Sequence, residues 1–147
     1  MEEIEKKLNE FLADLNVFYR KLQNYHWNII GKDFFVIHSK LEEYYDEVNE
    51  QIDEVAEHIL MMGHQPLGTL KDYMEISKIQ EAENKKVKDQ EVFENVIADF
   101  QTLLQKVICI KKEADAQNAY FTSSFVDEFI SDYTKKLWML NQMMQNN

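Results

Sequence analysis

The sequence predicts an all-α fold, a four-helix bundle with one long connection, and three observations lead to it. The 147 residues suit a single domain over residues 1–147 and are too few for two comfortable cores. With only 3 glycines and 1 proline, the chain lacks the residues for the many tight turns of a β-sandwich or barrel. Hydrophobic residues make up 45% of the chain and recur at helical spacing in four long segments, which provides enough apolar surface for a core.

The first two segments predict a helical hairpin. The first helix is expected over about residues 3–30 and is stopped by Gly31. The second follows Asp33 and ends at Gly63, and its apolar residues alternate at spacings of three and four, which is the most regular stripe in the chain.

The last two helices, expected over about residues 90–117 and 122–145, predict a second hairpin. A crossing of roughly 25 residues separates the hairpins, which is long enough to run the length of a bundle. Residues 69–77 predict a short extra helix in this crossing, and the highly charged residues 81–91 predict a solvated loop. Two hairpins joined by one long connection are the ferritin-like variety of four-helix bundle.

The charge balance limits the partners that the protein can have. Asp and Glu number 27 against 16 Lys and Arg, a net charge of −11, which repels phosphate backbones and attracts cations. No run of about 18 apolar residues occurs, and the chain is charged from its second residue, so neither a membrane span nor a secretory signal is expected. The single cysteine, Cys109, cannot form an internal disulfide, which agrees with a reducing cytoplasm. We interpret it as an inert core residue.

Five side chains on the first two predicted helices have the spacing of metal ligands. His38 and Glu42 lie four residues apart, and so do Asp53 and Glu57, so each pair shares one helix face. Each pair taken alone is more typical of an ordinary helix surface than of a metal site. His26, however, lies in the last turn of the first helix, and a closed hairpin brings it to His38. Two histidines and a carboxylate at one end of a hairpin suit Fe²⁺, Zn²⁺ or Mn²⁺.

The distance between the two pairs predicts a site shared by two subunits. Asp53 follows His38 by 15 residues, or roughly 22 Å along a helix, so one ion cannot bind both pairs of one chain. If two second helices pack antiparallel about a two-fold axis, His38 and Glu42 of one chain meet Asp53 and Glu57 of the other. The E-x-x-H pattern of di-iron bundles with intrasubunit sites occurs nowhere in the chain.

These residues resemble the Dps family of small ferritin-like proteins. The likeness rests on NYHWN at 24–28, Gly31, Phe34, Phe35, His38, LEE at 41–43, Tyr45, and IDEVAE at 52–57 through Gly63 and Pro66. It extends over nearly the whole chain, including residues 69–70 and 138–140. Its motif is specific, because it combines two histidines 12 residues apart, a carboxylate four residues on, and D-x-x-x-E.

The resemblance implies a ferroxidase centre. His26 and His38 correspond to its two histidines, Glu42 to a third ligand that is Asp in many members, and Asp53 and Glu57 to ligands from the two-fold neighbour. Members of the family form hollow dodecamers that bind Fe²⁺, oxidise it with hydrogen peroxide or O₂, and store ferric mineral. Zn²⁺ or Mn²⁺ would compete for such ligands.

Other positions match the family less completely. Trp27 corresponds to an aromatic residue that could intercept stray oxidising equivalents, or it simply packs at an interface. Of the acidic residues that line a three-fold pore in relatives, Asp115 matches one, and Asp127 and Glu128 could compensate for another that is missing. His58 stands where the family usually has Arg, and we expect it at the surface or an interface.

Three functional hypotheses follow from the sequence. The first is an iron-storing ferroxidase, and the second is a non-catalytic shell that sequesters metal or protects, with an altered centre. The third, a monomeric signalling bundle, is disfavoured by two ligand pairs that no single chain can join. A stable DNA complex is not expected, because Lys6 and Lys7 at the N-terminus are outnumbered by Glu2, Glu3 and Glu5.

Overall fold

The computed structural model describes residues 1–145, so the last two residues of the predicted domain lie outside the described part. The described chain comprises α1 (Glu2–Asn28), β1 (Ile29–Ile30), α2 (Phe34–Met61), α3 (Leu70–Ile76), β2 (Val87–Lys88), α4 (Asp89–Ala116) and α5 (Tyr120–Met144). Hairpin α1–α2 packs beside hairpin α4–α5, mainly through α1 and α4. This confirms the predicted fold class, including the short helix in the crossing.

Aromatic rings fill the centre of the bundle. Phe18 meets Phe100 edge to face at 5.0 Å between ring centroids, and Phe11 meets Phe129 in the same way at 5.4 Å. The hydroxyl of the fully buried Tyr133 donates a hydrogen bond of 2.9 Å to Gln51 Oε1, so this polar group is satisfied inside the core. The helices are therefore joined at mid-height by rings from both hairpins.

Two short strands differ from the prediction. Ile29 and Ile30, expected at the end of the first helix, pair in parallel with Val87 and Lys88, which were expected in a solvated loop. Val87 is only 4% exposed. Helical spacing describes neighbours along one segment and carries no signal for a pairing between segments that are far apart in sequence. The strand pair fastens the crossing to the end of the first hairpin.

The crossing is also held by α1. The carboxylate of Asp14 accepts the backbone N–H of Lys78 at 2.8 Å and the hydroxyl of Ser77 at 3.1 Å, while burial raises its pKa. Nearer the start of α1, Asn9 Oδ1 accepts a hydrogen bond of 2.9 Å from the backbone N–H of Leu67, which precedes α3. These contacts place α3 against α1, beside the first hairpin.

A buried ion pair joins the two hairpins. Lys21 Nζ on α1 lies 2.8 Å from Asp99 Oδ2 on α4, and the two side chains are 6% and 11% exposed. Burial is the main cause of a raised pKa at Asp99, and the ammonium of Lys21 opposes it. Each of these buried charges is stabilised by the other, because neither has water as an alternative partner.

Cys109 corrects the expectation of an inert core thiol, because its side chain is exposed. Consecutive residues of a helix point in different directions, so the apolar run that contains Cys109 does not lie on one face of α4. Val107 and Ile110 face the core, while Cys109 faces outward. Within the described residues, no helix is long and apolar enough to cross a membrane.

Candidate metal centre

The turn between α1 and α2 brings two histidines together. His26 lies in the last turn of α1 and His38 in the second turn of α2, and Gly31 between them has a φ of 131°, a backbone conformation that favours glycine. The two imidazoles stack with their centroids 3.6 Å apart and their planes 12° from parallel. The predicted convergence of these two side chains is thus present within one chain.

Each imidazole is held by the backbone of the other residue. His26 Nδ1 lies 2.6 Å from the carbonyl oxygen of His38, and His38 Nδ1 lies 2.8 Å from the carbonyl oxygen of His26. A carbonyl only accepts, so Nδ1 carries the hydrogen in both rings, and in the neutral rings both Nε2 atoms keep a free lone pair. Backbone contacts of this kind orient metal-binding histidines, so the orientation of both rings does not depend on a bound ion.

The surroundings leave the histidines open on one side. Glu42 Oε1 lies 3.7 Å from His26 Nε2, and the Glu42 side chain is 54% exposed. Phe34 stacks on His38 at 4.8 Å between ring centroids, and the rings of Tyr45 and His26 meet edge to face at 5.3 Å. Aromatic rings therefore cover the imidazoles, whereas the carboxylate of Glu42 lies toward solvent. Helical spacing from His38 is the signal that could have singled out Phe34 and Tyr45 in advance.

The other two candidate ligands lie elsewhere on α2. Asp53 and Glu57 are both exposed, several turns along the helix from His38. Among residues 1–145 of one chain, no three His, Cys, Asp or Glu side chains form a group that could hold an ion. A single chain thus presents His26, His38 and Glu42 at one end of the hairpin and a separate acidic pair at a distance.

Trp27 and the predicted pore residues all lie on the surface. Trp27 is 59% exposed, with the guanidinium of Arg20 5.9 Å from its ring centroid. Asp115 accepts the hydroxyl of Ser123, and Asp127 pairs with Lys111 Nζ at 2.8 Å, a contact that raises the pKa of the lysine.

Glu128 is exposed on α5 and faces Glu54 of α2. The pKa of Glu54 is raised, first by burial and then by the charge of Glu128. Of the three predicted pore carboxylates, Asp127 is therefore partly neutralised by Lys111, whereas Glu128 has a like-charged neighbour in Glu54.

His58 is not at the surface, which corrects the prediction for this residue. It is fully buried, with its ring stacked on Phe125 at 4.0 Å and on Phe121 at 4.5 Å. Its Nε2 lies 2.9 Å from Thr122 Oγ1, and burial lowers its pKa. The start of α5 covers this side of α2, a packing contact that the spacing along α2 does not reveal.

Known proteins resemble the chain over nearly its full length. Residues 5–147 match the family model described as the ferritin-like domain. DNA protection during starvation protein 2 of Bacillus anthracis is 36% identical over 137 residues, which is 93% of either chain. A Dps crystal structure from Vibrio cholerae O1, described as a member of a broad superfamily of ferritin-like diiron-carboxylate proteins, superimposes with a TM-score of 0.94. It is 31% identical, and the match covers 98% of this chain and 90% of that one. Dps from Staphylococcus aureus gives a TM-score of 0.95 at 29% identity, covering 100% and 98%.

Proposed function

Because the chain belongs to the Dps family of ferritin-like proteins, we propose that it oxidises Fe²⁺ with hydrogen peroxide or O₂ and stores the ferric product inside a hollow homo-oligomer. The chain's match to the ferritin-like domain and to ferritin-like diiron-carboxylate proteins supports an iron-storage type of function. The reciprocal contacts of His26 and His38, which leave both Nε2 atoms free to bind a metal, are the observation that carries the more specific proposal. The oligomer is a dodecamer of two-fold dimers, and the chain acts in the cytoplasm as a single ferritin-like domain.

Iron is the substrate of the proposed reaction, and the side chains hold it in place. His26 and His38 bind through Nε2, Glu42 through a carboxylate oxygen, and Asp53 and Glu57 of a second subunit complete the donor set. Imidazole and carboxylate ligands suit Fe²⁺, although Zn²⁺ and Mn²⁺ compete for the same set. Five donors shared between two ferrous ions leave coordination positions open for the oxidant.

The protein's contribution to the oxidation is to bring two electron donors to one oxidant. Hydrogen peroxide takes one electron from each of two ferrous ions and two protons, and it leaves as two molecules of water. Because both electrons are delivered together, no hydroxyl radical is released. Phe34 and Tyr45 pack against the imidazoles, whereas the carboxylate of Glu42 is exposed, so the oxidant approaches from the solvent side.

The direct test is anaerobic loading of the apo protein with about two Fe²⁺ per subunit, followed by hydrogen peroxide. We expect ferric absorbance to rise much faster than in a protein-free control, with a soluble product. His26→Ala removes one Nε2 donor and should abolish the acceleration. His64→Ala is a matched control, because His64 is a half-buried histidine that pairs with Glu5 at 3.1 Å, away from the centre. Oxidation no faster than without protein would favour the non-catalytic shell.

We also propose that the protein does not form a stable complex with DNA. At −11 per subunit, an assembled shell carries a high density of negative charge, and the repulsion is strongest at low salt. In a gel-shift assay with plasmid at low ionic strength and with EDTA, we expect the DNA to migrate as it does alone. Retarded DNA under these conditions would contradict the expectation.

A further inference from the structure

The last turn of α1 is attached to the crossing by a side-chain amide. Asn24 Nδ2 lies 3.1 Å from the carbonyl oxygen of Ala82 and 3.3 Å from that of Glu83, which follow it by 58 and 59 positions in the chain. Oδ1 of the same amide accepts a hydrogen bond of 2.6 Å from Asn28 Nδ2. The Asn24 amide therefore both donates and accepts, a combination that neither a carboxylate nor an apolar side chain can supply.

A second attachment to the crossing follows directly after α1. There β1 pairs in parallel with β2, and the facing residues Ile29 and Val87 are only 2% and 4% exposed. The strand pair is thus anchored in the core. His26 lies between the two attachments, two residues after Asn24 and three residues before Ile29.

The place of His26 at the end of α1 explains why these attachments matter. The last carbonyls of an α-helix have no N–H partner within the helix, and helix ends fray. The backbone N–H of Ile29 still bonds to the carbonyl of Tyr25. The next carbonyl, that of His26, accepts Nδ1 of His38 on α2 at 2.8 Å. The orientation of the His38 ring therefore depends on a carbonyl at a helix end that needs support from outside the helix.

We propose that the crossing sets the geometry of the histidine pair. The Asn24 amide and the strand pair prevent the last turn of α1 from unwinding, and they thereby fix the carbonyl of His26. This carbonyl selects the tautomer and the orientation of His38. Asn24 is a positioning residue, because it acts on His38 through the backbone of His26. The effect on iron rests on the proposed function, whereas the effect on the imidazoles requires no metal.

The reciprocal contact of the two histidines makes the centre sensitive to this carbonyl. When the His26 carbonyl turns away, His38 Nδ1 loses its acceptor, and the hydrogen of the neutral ring can move to Nε2. A nitrogen that carries a hydrogen cannot bind a metal, so the candidate centre loses a donor. Because the rings stack at 3.6 Å and His26 Nδ1 lies 2.6 Å from the carbonyl oxygen of His38, a displaced His38 also disturbs His26.

Asn9 provides a matched comparison on the same helix. It also holds the crossing through its amide, since Oδ1 accepts the N–H of Leu67 at 2.9 Å and Nδ2 lies 3.4 Å from the carbonyl oxygen of Gln65. Asn9 and Asn24 are both half-buried. Asn9, however, precedes His26 by 17 residues, or roughly 25 Å along α1. Substitutions at the two positions therefore separate a local effect on the histidines from a general loosening of the crossing.

The histidine tautomers test the proposal without metal. Solid-state NMR of isotope-labelled histidine in the assembled apo protein, at about pH 8.5 where ordinary imidazoles are neutral, distinguishes hydrogen on Nδ1 from hydrogen on Nε2. We expect the hydrogen on Nδ1 of both His26 and His38 in wild type and in Asn9→Ala. In Asn24→Ala we expect His38 to show a mixture of both tautomers. The signals are identified by their loss in His26→Ala and His38→Ala.

Asn24→Asp isolates the contact with the crossing. The carboxylate still accepts from Asn28, but it has no hydrogen to donate and faces the carbonyl oxygens of Ala82 and Glu83. We expect the same mixture of His38 tautomers as in Asn24→Ala. Circular dichroism verifies that each variant is folded. A single Nδ1–H tautomer at His38 in either folded variant of Asn24 would overturn the proposal.

Zn²⁺ binding, measured by calorimetry on the assembled protein, gives a second readout. Loss of a partner behind a metal ligand typically weakens metal binding by about 10- to 100-fold. We expect Asn24→Ala to weaken by at least about tenfold the Zn²⁺ binding that His26→Ala abolishes, while Asn9→Ala binds as wild type. Equal losses in Asn9→Ala and Asn24→Ala would show a general loosening and would also overturn the proposal.

The outcomes separate this proposal from the proposed function. If His26→Ala abolishes iron oxidation but Asn24→Ala keeps the wild-type tautomers and Zn²⁺ affinity, the ferroxidase stands and the role of Asn24 falls. If Asn24→Ala alone changes the tautomers and the Zn²⁺ affinity but wild-type protein oxidises no iron, the role of the crossing stands and the ferroxidase falls.

Discussion

Chains carrying His38→Ala and chains carrying Asp53→Ala, each nearly inactive alone, are expected to regain about a quarter of wild-type iron oxidation when they assemble together. The reason is that each substitution damages a different half of the proposed centre. In a mixed dimer, the intact histidine half of one chain meets the intact acidic half of the other, while the second centre is damaged twice. About half of randomly formed dimers are mixed, and each has one working centre of two.

The measurement is peroxide-driven oxidation after co-assembly of equal amounts of the two chains. Loss of a direct ligand should lower the activity of each variant alone by roughly 100-fold or more, given the effect of disturbing even the residues behind the ligands. The matched control combines His38→Ala with His26→Ala, which damage the same half, so no dimer contains a working centre. Recovery in this control, or none in the test mixture, would show that the five residues do not form a shared centre.

The largest effect on stability is expected when the buried pair between α1 and α4 is broken on one side. Asp99→Ala leaves the ammonium of Lys21 buried without its partner, and we expect the free energy of unfolding to fall by about 3–5 kcal/mol. Replacing both residues, Lys21→Met with Asp99→Leu, removes both charges and fills their space, so this double variant should lie close to wild type.

Urea denaturation monitored by circular dichroism measures these differences. All variants must be compared at one protein concentration, because association between subunits contributes to the apparent stability. Breaking an exposed ion pair is the control. Lys40 pairs with Glu43 at 2.7 Å on the surface of α2, and Glu43→Ala should lower the free energy of unfolding by less than about 1 kcal/mol. If the double variant were as unstable as Asp99→Ala, loss of packing rather than an unpaired charge would be the cause.

The helices and the first half of the candidate centre could be predicted from the sequence. Apolar residues at helical spacing predicted four long helices, residues 69–77 predicted the short one in the crossing, and glycine marked the turn at Gly31. The meeting of His26 with His38 followed from their places on either side of that turn. The participation of Asp53 and Glu57 stays a prediction, because it concerns a second chain.

The errors concern contacts between segments that are distant in sequence. The pairing of Ile29 with Val87, the exposure of Cys109 and the burial of His58 all depend on which other element covers a given helix face. Spacing along one helix places a residue on a face, but it does not say whether that face meets a neighbour. Lys21 and Asp99 illustrate the same point, since each is an ordinary surface residue until α1 and α4 pack together.

The sequence by itself determined where the chemistry-bearing side chains lie on each helix, because helical periodicity is a local property of the chain. It was sufficient for the ligand spacing and for the expected two-fold arrangement. Only the tertiary structure decided which imidazole nitrogens are free, because the Nδ1 contacts of His26 and His38 cross from one helix to the other. Hydrogen bonds and burial of this kind arise when separate elements pack, and packing depends on the whole chain at once.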